Sequence, residues 1–168
     1  KMKNIIFAIF LFLLSFSYAQ SQEKTVFLDL NYILSNSIKG KKILNDLDKI
    51  NKKNLEYLKK KETSFKKEEN EIRKKKNIIS EEEFTKIVKE FNKKFSNFNQ
   101  EKKELSDEFL NKRKTKLDEF FKSLDAILKD YMENNSIEII LNKKDIIIAN
   151  SNNDITKNIL DLANKKIK

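Results

Sequence analysis

Apolar residues recur every three or four positions along the second half of the chain, and this spacing predicts one long amphipathic helix. The stripe consists of Phe84, Ile87, Val88, Phe91, Phe95, Phe98, Leu105, Phe109, Leu117, Phe120, Leu124, Leu128 and Tyr131. A helix over residues 81–134 would be about 80 Å long at 1.5 Å per residue. Because that length exceeds the diameter of a small domain, we expect the helix to project from the rest of the protein.

The preceding residues carry a thinner apolar seam at steps of seven residues. Its members are Leu44, Leu58, Phe65, Ile72 and Ile79, with Asn51 interrupting the series. The alternate seam positions between residues 61 and 75 are Lys61, Glu68 and Lys75, so this part has one apolar residue per heptad. Such a seam supplies half of a coiled-coil core. We therefore predict that residues 41–134 form a long antiparallel helical hairpin, called the arm below.

The turn of the arm is predicted at residues 77–80. Ser80 and Glu83 match the capping box, in which the serine side chain accepts from the N3 amide and the glutamate reaches back to the cap amide. Basic residues 73–76 precede the turn and acidic residues 81–83 follow it. This is the charge order that the dipoles of the two helices favour.

The residues before the arm predict a strand and a short helical turn. The strand is expected over residues 23–30, because apolar residues alternate there. Val26, Leu28 and Leu30 would lie on one face and Phe27 on the other. Residues 31–37 indicate the helical turn, and Gly40, the only glycine, marks the joint to the arm.

The residues after the arm predict a β-hairpin and a last helix. Two β-branched runs, residues 137–141 and 145–149, are separated by the three polar residues 142–144, which is typical of a hairpin. Asn153 or Asp154 can then cap a terminal helix. The apolar side of that helix would consist of Ile155, Ile159, Leu162, Ala163 and Ile167.

Residues 20–40 and 135–168 together form a predicted compact body, near the size at which a single core becomes marginal without disulfides or metal. The chain has no cysteine, so oligomerisation is the usual remaining source of stability. A three-stranded sheet with apolar residues on both faces also leaves edges that pair with other copies. We predict an α+β fold and a homo-oligomer joined through Val26, Leu28, Leu30, Ile137, Ile139, Leu141 and Ile147.

The first residues are typical of a targeting segment. Lys1 and Lys3 precede an apolar run over residues 5–16, and Ser17-Tyr18-Ala19 is an A-x-A-like site. This pattern predicts a signal peptide, residues 1–19, that is cleaved after Ala19 and directs the protein to the periplasm. The alternative is a membrane anchor, but the run is shorter than the roughly 20 residues that a spanning helix needs.

The composition argues against catalysis. Without any histidine or cysteine the chain cannot build a zinc site of the usual kind, a thiol nucleophile or a Ser-His pair. One glycine cannot supply a phosphate-binding loop. We therefore predict no enzyme activity, no catalytic or metal-binding residue and no cofactor.

The net charge is +10, from 36 basic and 26 acidic residues. Basic surfaces attract phosphates and anionic lipids. Both signs interleave along the arm, however, which favours a solvated surface over a dedicated polyanion site. The basic arm can still attract an acidic partner at long range. The candidate residues for this electrostatic steering are Lys59, Lys60, Lys66 and Lys67.

The middle of the aromatic stripe is a candidate binding surface. Aromatic residues at helical spacing are usually core, and we expect this of Phe84, Phe109, Phe120 and Phe121. Phe91, Phe95 and Phe98 differ, because the matching part of the first helix offers only Phe65 and long charged side chains. Some of this aromatic surface should stay accessible, and accessible apolar surface marks interaction sites. The candidate binding residues are therefore Phe65, Phe91, Phe95 and Phe98.

The order of predicted parts resembles the Skp/OmpH family of periplasmic chaperones. The resemblance rests on residues 24–49 (KTVFLDLNYILSNSIKGKKILNDLDK) and on residues 137–160 (IEIILNKKDIIIANSNNDITKNIL), in which NDIT is the most family-like piece. The arm matches the family in length and pattern rather than in residues.

This resemblance implies a homotrimer in which strands of three subunits build a small β-barrel, while three helical hairpins surround a cavity. Members of the family hold unfolded outer-membrane proteins in that cavity without ATP, on the way to the outer-membrane assembly machinery. The resemblance also leaves lipopolysaccharide or another anionic lipid open as a partner, although the chain shows no clear matching motif.

Two alternatives belong to other functional classes. A nucleic-acid-binding protein would use the lysines, but the export signal and the mixed charges of the arm count against it, and we expect no nucleic acid partner. A structural coiled-coil protein of the envelope would use the arm as a spacer. Failure to suppress aggregation of client proteins would favour this second alternative.

Overall fold

The computed structural model describes residues 24–167. The predicted signal peptide, residues 1–19, lies outside the described residues, as does Glu23 at the start of the predicted strand. Within the described part the element order is β1 (Thr25–Leu28), α1 (Leu30–Asn36), α2 (Ile38–Lys75), α3 (Glu81–Asn135), β2 (Ile139–Asn142) and α4 (Thr156–Lys166). Two short 3₁₀ turns, Lys143–Asp145 and Ser151–Asn153, lie between β2 and α4.

Helices α2 and α3 form the predicted antiparallel hairpin, with 38 and 55 residues respectively. The capping box is present at the tip of the arm. Ser80 Oγ accepts from the Glu83 amide at 3.3 Å, and the Glu83 carboxylate accepts from the Ser80 amide at 3.4 Å. The capping box therefore ends the turn at Ser80, the residue that the sequence predicted as the cap.

The base of the arm packs on the body in one hydrophobic core. The buried members are Val26, Leu28, Ile33, Ile43, Leu47, Phe120, Leu124, Ile127, Ile137, Ile155, Ile159 and Ala163. Phe120 is among them, whereas Phe109 and Phe121 pack against this core from partly buried positions. Since both helices of the arm contribute to the core, the arm is anchored to the body by packing.

The predicted seam of α2 is displaced at the base of the arm. Ile43 and Leu47 are buried there, whereas Leu44 is exposed. The predicted heptad series was therefore wrong at Leu44. The reason is that this part of α2 packs against the body as well as α3, which shifts the buried face by one residue.

The joint between body and arm lies within the first turn of α2. Gly40 is buried, and an added Cβ would lie 1.9 Å from the carbonyl oxygen of Leu34 and 2.7 Å from Ser37 Oγ. Ser37 Oγ accepts from the Gly40 amide at 3.1 Å and so caps the helix. Helix α2 thus begins at Ile38, slightly before the predicted arm at residue 41.

The strand prediction before the arm was wrong at Leu30. The Asp29 side chain accepts from the Tyr32 amide at 2.8 Å, so Asp29 is the N-cap of α1 and Leu30 is the first residue of that helix. A side chain that caps a helix ends the extended backbone. The strand therefore ends at Leu28, and Val26, Phe27 and Leu28 are all buried.

The predicted β-hairpin is absent from residues 24–167. Strand β2 pairs in parallel with β1, with Thr25 opposite Ile139 and Leu28 opposite Asn142. Tight hairpins favour turn residues that accept positive φ, such as Asn-Gly, and this chain has Asn-Lys-Lys instead. Lys143–Asp145 form a 3₁₀ turn, and residues 146–149 form no strand. The described chain thus has two strands in its sheet, not the predicted three.

A second partner covers the other edge of β1. Phe27 bridges to Asp154, and its carbonyl oxygen accepts from the Ile155 amide at 2.9 Å. Asp154 Oδ1 in turn accepts from the Thr156 amide at 2.9 Å, although Ile155 occupies the N-cap position of α4 without a side-chain cap. With β1 covered on both sides, the outer edge of β2 is the open edge of this small sheet.

Candidate functional site

Four phenylalanine residues meet in the middle of the arm. Phe65 on α2 lies against three rings of α3, with centroid distances of 5.9 Å to Phe91, 5.5 Å to Phe95 and 5.1 Å to Phe98. The contacts with Phe91 and Phe95 are edge-to-face, which is a favourable geometry for aromatic pairs. The structure therefore brings together all four aromatic residues that the sequence singled out, and we call them the aromatic cluster.

The four rings differ in accessibility. Phe98 is 3% exposed and Phe95 is 42% exposed, while Phe65 and Phe91 are half-buried. Phe98 is therefore a core residue of the arm, and little of its ring is available to a partner. Phe95 and the outer parts of Phe65 and Phe91 form the accessible aromatic surface.

Polar contacts between α2 and α3 border this cluster. Lys94 lies 2.8 Å from Glu68, and Lys102 lies 3.0 Å from Glu62. The hydrogen bond to Glu68 raises the pKa of the Lys94 ammonium. Because each of these lysines has an acidic partner, the positive charge beside the rings is partly neutralised.

A groove of about 540 Å³ runs between the two helices at this level. Its apolar wall is formed by Phe65 and Phe98, and its polar rim includes Lys61, Glu68, Lys94 and Glu101. On the body side of the groove, the Tyr57 hydroxyl donates to Glu101 at 2.5 Å, and Lys61 lies over the Tyr57 ring at 5.5 Å. The groove is thus amphipathic, with apolar contact surface and charges of both signs.

The four lysines predicted to attract a partner are all exposed on α2. They are Lys59, Lys60, Lys66 and Lys67. They flank Phe65 in the sequence but lie off the seam, which follows Leu58, Phe65 and Ile72. This position suits long-range attraction rather than direct contact with the rings.

The predicted oligomerisation residues differ in burial. Val26, Leu28 and Ile137 are buried in the core of the chain itself, so their side chains are not available for contact with another copy. Ile139 and Leu141 on β2 are exposed, and Ile147 is fully exposed. Leu30 is half-buried beside β2. A direct role of the exposed members in assembly stays a prediction.

An apolar groove that the sequence did not reveal lies beside the open edge of β2. Its volume is about 500 Å³, and its lining includes Leu30, Leu128, Met132, Ile139 and Leu141. Ile148 was also missed, although it is almost fully exposed next to Ile147. The β-branched run at residues 146–148 was a sequence signal for it, but the run was assigned to a paired strand.

Further exposed apolar surface lies at the tip of the arm. Ile78 is exposed, and a groove of about 570 Å³ there is lined by Ile78, Ile79 and Ile87 together with Lys75, Glu83 and Lys86. The exposure follows from the turn, where neither helix can cover the other.

The described residues contain neither a cluster of metal ligands nor a helix that could span a membrane. Between residues 24 and 167, no three His, Cys, Asp or Glu side chains lie together so that they could hold a metal ion. No helix in the same part of the chain combines the length and hydropathy of a membrane span.

Comparisons with known proteins identify the family. The family described as "Outer membrane protein (OmpH-like)" matches residues 24–162. The fold is similar to the crystal structure of a protein from Caulobacter crescentus CB15 described as an OmpH-like outer membrane chaperone, with a TM-score of 0.76 and 15% sequence identity over 90% of each chain. A search of the curated proteins finds no match. Since the family match covers most of the chain, the chain belongs to the OmpH-like family.

Proposed function

We propose that this OmpH-like protein is a periplasmic holdase chaperone. It binds unfolded outer-membrane β-barrel proteins between its arms and keeps them from aggregating before membrane insertion, without ATP. The observation that carries the proposal is the aromatic cluster, which leaves Phe95 42% exposed far from the core of the body. The description of the similar Caulobacter protein as an outer membrane chaperone supports it.

The proposed mechanism uses many weak contacts. A β-barrel client has an apolar outer face, and such a face aggregates in water when the chain is unfolded. Rings on several arms can cover parts of that face at once, and linked weak sites bind far more strongly together than singly. Release then requires a better binding site elsewhere, such as the outer-membrane assembly machinery, and not a nucleotide.

Several arms require an oligomer, and we propose a homotrimer joined through the bodies. The open edge of β2 leaves backbone groups unpaired, and an unprotected edge favours pairing with another chain. Ile147 and Ile148 expose their side chains on the same body, and isolated two-stranded sheets are marginally stable in water. A strand or extended segment of a neighbouring copy would pair with the open edge of β2 and cover the exposed isoleucine side chains.

The decisive experiment dilutes a urea-unfolded outer-membrane barrel protein into buffer and follows light scattering with and without the chaperone. We expect suppression of aggregation at a stoichiometric ratio of client to oligomer, unchanged by ATP. Phe95→Ser should weaken suppression. Tyr32→Ser is the matched control, because Tyr32 is a similarly exposed ring on the body.

The outcomes separate the proposal from its alternative. If the wild-type protein leaves aggregation unchanged, the chaperone proposal is wrong and a spacer role of the coiled coil is favoured. If suppression requires ATP, the holdase mechanism is wrong. If both ring variants weaken suppression equally, the aromatic cluster is not the client-binding surface.

A further inference from the structure

The turn at the tip of the arm holds an isoleucine side chain in solvent. Ile78 is 78% exposed. Its amide donates to the carbonyl oxygen of Lys75 at 2.9 Å, and the Ile79 amide donates to the same oxygen at 3.2 Å. The Ser80 cap then begins α3 directly after these residues. Because hydrogen bonds fix the backbone of the turn, Ile78 projects from a defined position.

An apolar groove lies beside this projecting side chain. The groove at the tip has a volume of about 570 Å³, and its lining consists of Ile78, Ile79, Ile87, Lys75, Glu83, Lys86 and Glu90. A projecting apolar side chain next to an apolar groove forms a surface that can be complementary to a copy of itself. A second tip is therefore a suitable occupant of the groove.

The charges at the tip favour a second copy of this chain over an anionic lipid surface. Lys75 and Lys76 lie at the end of α2, Glu81 and Glu82 begin α3, and all four are exposed. No ion pair within residues 24–167 involves their side chains. The basic end of one tip can thus lie against the acidic end of another. An anionic surface would instead repel the two glutamates.

The helix dipoles account for only part of this arrangement. Acidic residues at the start of a helix and basic residues at the end of another are favourable in any exposed turn. The dipoles give no reason, however, for an exposed isoleucine between the two groups of charges. Contact with another tip explains both the charges and the apolar side chain.

Such a contact is small and depends on tethering. A standard stable interface uses about 20 to 30 residues on each side, and one tip offers far fewer. Two unconnected tips would therefore associate weakly. In an oligomer joined through the bodies, the tips are tethered to one another, and tethering gives each tip a high effective concentration of the others.

We propose that the tips of the arms of one oligomer bind each other, with Ile78 of one tip in the apolar groove of the next. Lys75 and Lys76 of the first tip then lie opposite Glu81 and Glu82 of the second. Each tip has one basic and one acidic end, so the contact can repeat around the oligomer until it closes. The arms thus meet at their free ends. This inference rests on the proposed function, which supplies the oligomer of arms.

Disulfide cross-linking tests the contact, because the chain has no cysteine of its own. Under mild oxidation, Ile78→Cys should form linked pairs of chains at least about tenfold faster than Ser96→Cys. The control places its cysteine at an exposed position in the middle of the arm. The rate for Ile78→Cys should not depend on protein concentration wherever sedimentation shows the oligomer. Equal rates for the two variants, or a rate that rises with concentration, would overturn the proposal.

Charge variants test the two ends of the tip separately. In the Ile78→Cys protein, replacing Lys75 and Lys76 by glutamate should lower the cross-linking rate about fivefold or more. Replacing Glu81 and Glu82 by lysine should do the same, since each change places like charges opposite each other. Circular dichroism verifies that the helices remain.

Co-expression of these two charge variants provides the rescue. One variant carries a tag that changes its mass, so that linked pairs of unlike chains are distinguished from pairs of like chains. Pairs of unlike chains should form about as fast as in the parent Ile78→Cys protein, because opposite charges face each other again. Slow linking of unlike chains, or full linking within either variant alone, would contradict the proposed pairing.

A membrane is the competing occupant of the tip. If the wild-type protein sediments with phosphatidylglycerol vesicles, Ile78→Asp does not, and Ile78→Cys links no faster than Ser96→Cys, the tip binds lipid and the proposal is wrong. Suppression of client aggregation without cross-linking at the tips disproves only this inference. Cross-linking at the tips without suppression of aggregation supports the contact and contradicts the chaperone function.

Discussion

The side-chain oxygen of Asn164 accepts a hydrogen bond from the backbone amide of Ile38 at 2.8 Å. The last helix thereby satisfies one of the free amides in the first turn of the arm. Together with the Ser37 cap, this contact ties the start of the arm to both ends of the body. The arm therefore leaves the body in one direction, and bending is expected further along α2 and α3.

Gly40 is essential to this joint. Gly40→Ala should destabilise the protein by about 1–3 kcal/mol, because an added methyl group overpacks a closed site against the Leu34 carbonyl oxygen. Urea unfolding followed by circular dichroism measures the change. Lys41→Ala, at an exposed position of the same turn, is the control and should be nearly neutral. Equal stability of the two variants would show that the joint can relax.

Phe98 and Phe95 should differ in their contribution to the arm. Phe98→Ala should cost about 3–5 kcal/mol of local stability, as for other buried phenylalanines, and Phe95→Ala should cost about 1 kcal/mol or less. Amide hydrogen exchange along α2 and α3 detects this difference directly. Similar exchange in both variants would mean that Phe95 is as much a part of the arm core as Phe98.

The exposed isoleucines of the body should control assembly. Replacing both Ile147 and Ile148 by aspartate should convert the proposed trimer to monomers that remain folded, since neither side chain is buried within the subunit. Sedimentation over a range of protein concentrations measures this, because stability of an oligomer depends on concentration. Lys144→Asp, on the neighbouring turn, is the control for added negative charge. Trimers in the double variant, or wild-type monomers at every concentration, would refute this mode of assembly.

The lysines of the middle arm should affect the rate of client capture. Replacing them by glutamine should slow association with an acidic client up to about tenfold at low salt and make it less salt-dependent, because surface charge acts mainly on encounter. The residues to replace are Lys59, Lys60, Lys66 and Lys67. Stopped-flow fluorescence of a labelled client gives the rates.

An equal change in net charge near the body is the control for that experiment. The lysines for this control are Lys41, Lys42, Lys49 and Lys53, all exposed. If both sets slow capture equally, total charge rather than its position on the arm governs the encounter.

Asp154 should make stability depend on pH. Burial alone would raise the pKa of its carboxyl, but hydrogen bonds from the Thr156 hydroxyl and amide and from Lys143 lower the pKa overall. The stabilising contribution is therefore complete above the unfolded pKa of about 3.9 and is lost as the pH falls through the lower folded value.

Asp154→Asn tests this linkage. We expect a loss of about 1 kcal/mol at pH 7, as for a charge-assisted hydrogen bond that becomes neutral. The difference from the wild-type protein should shrink as the pH falls from about 3.9 through the lower folded pKa, because the carboxyl takes up its proton first in the unfolded chain and then in the folded one. Urea unfolding at several pH values measures both. A difference that stays constant into the acid range would show that the charge of Asp154 does not matter.

The sequence by itself determined the arm, its turn and the family. Helical periodicity is a local property of the chain, and the Ser80 and Glu83 cap depends on residues three positions apart. The meeting of Phe65 with Phe91, Phe95 and Phe98 also followed, because a hairpin with a defined turn brings residues at matching distances from that turn together. The lack of histidine and cysteine argued against the common kinds of catalytic site.

Only the tertiary structure decided which residues are accessible and how the strands pair. The sequence pattern did not distinguish Phe98 from Phe95, because both lie on the same stripe and the packing of α2 covers one and not the other. Pairing of β1 with β2 joins residues more than a hundred positions apart, and no local pattern specifies such a register. The β-branched run at residues 146–148 predicted a strand, and that prediction was wrong, because composition alone does not provide a pairing partner. A strand needs a partner, and the body offers that run no partner within the described chain.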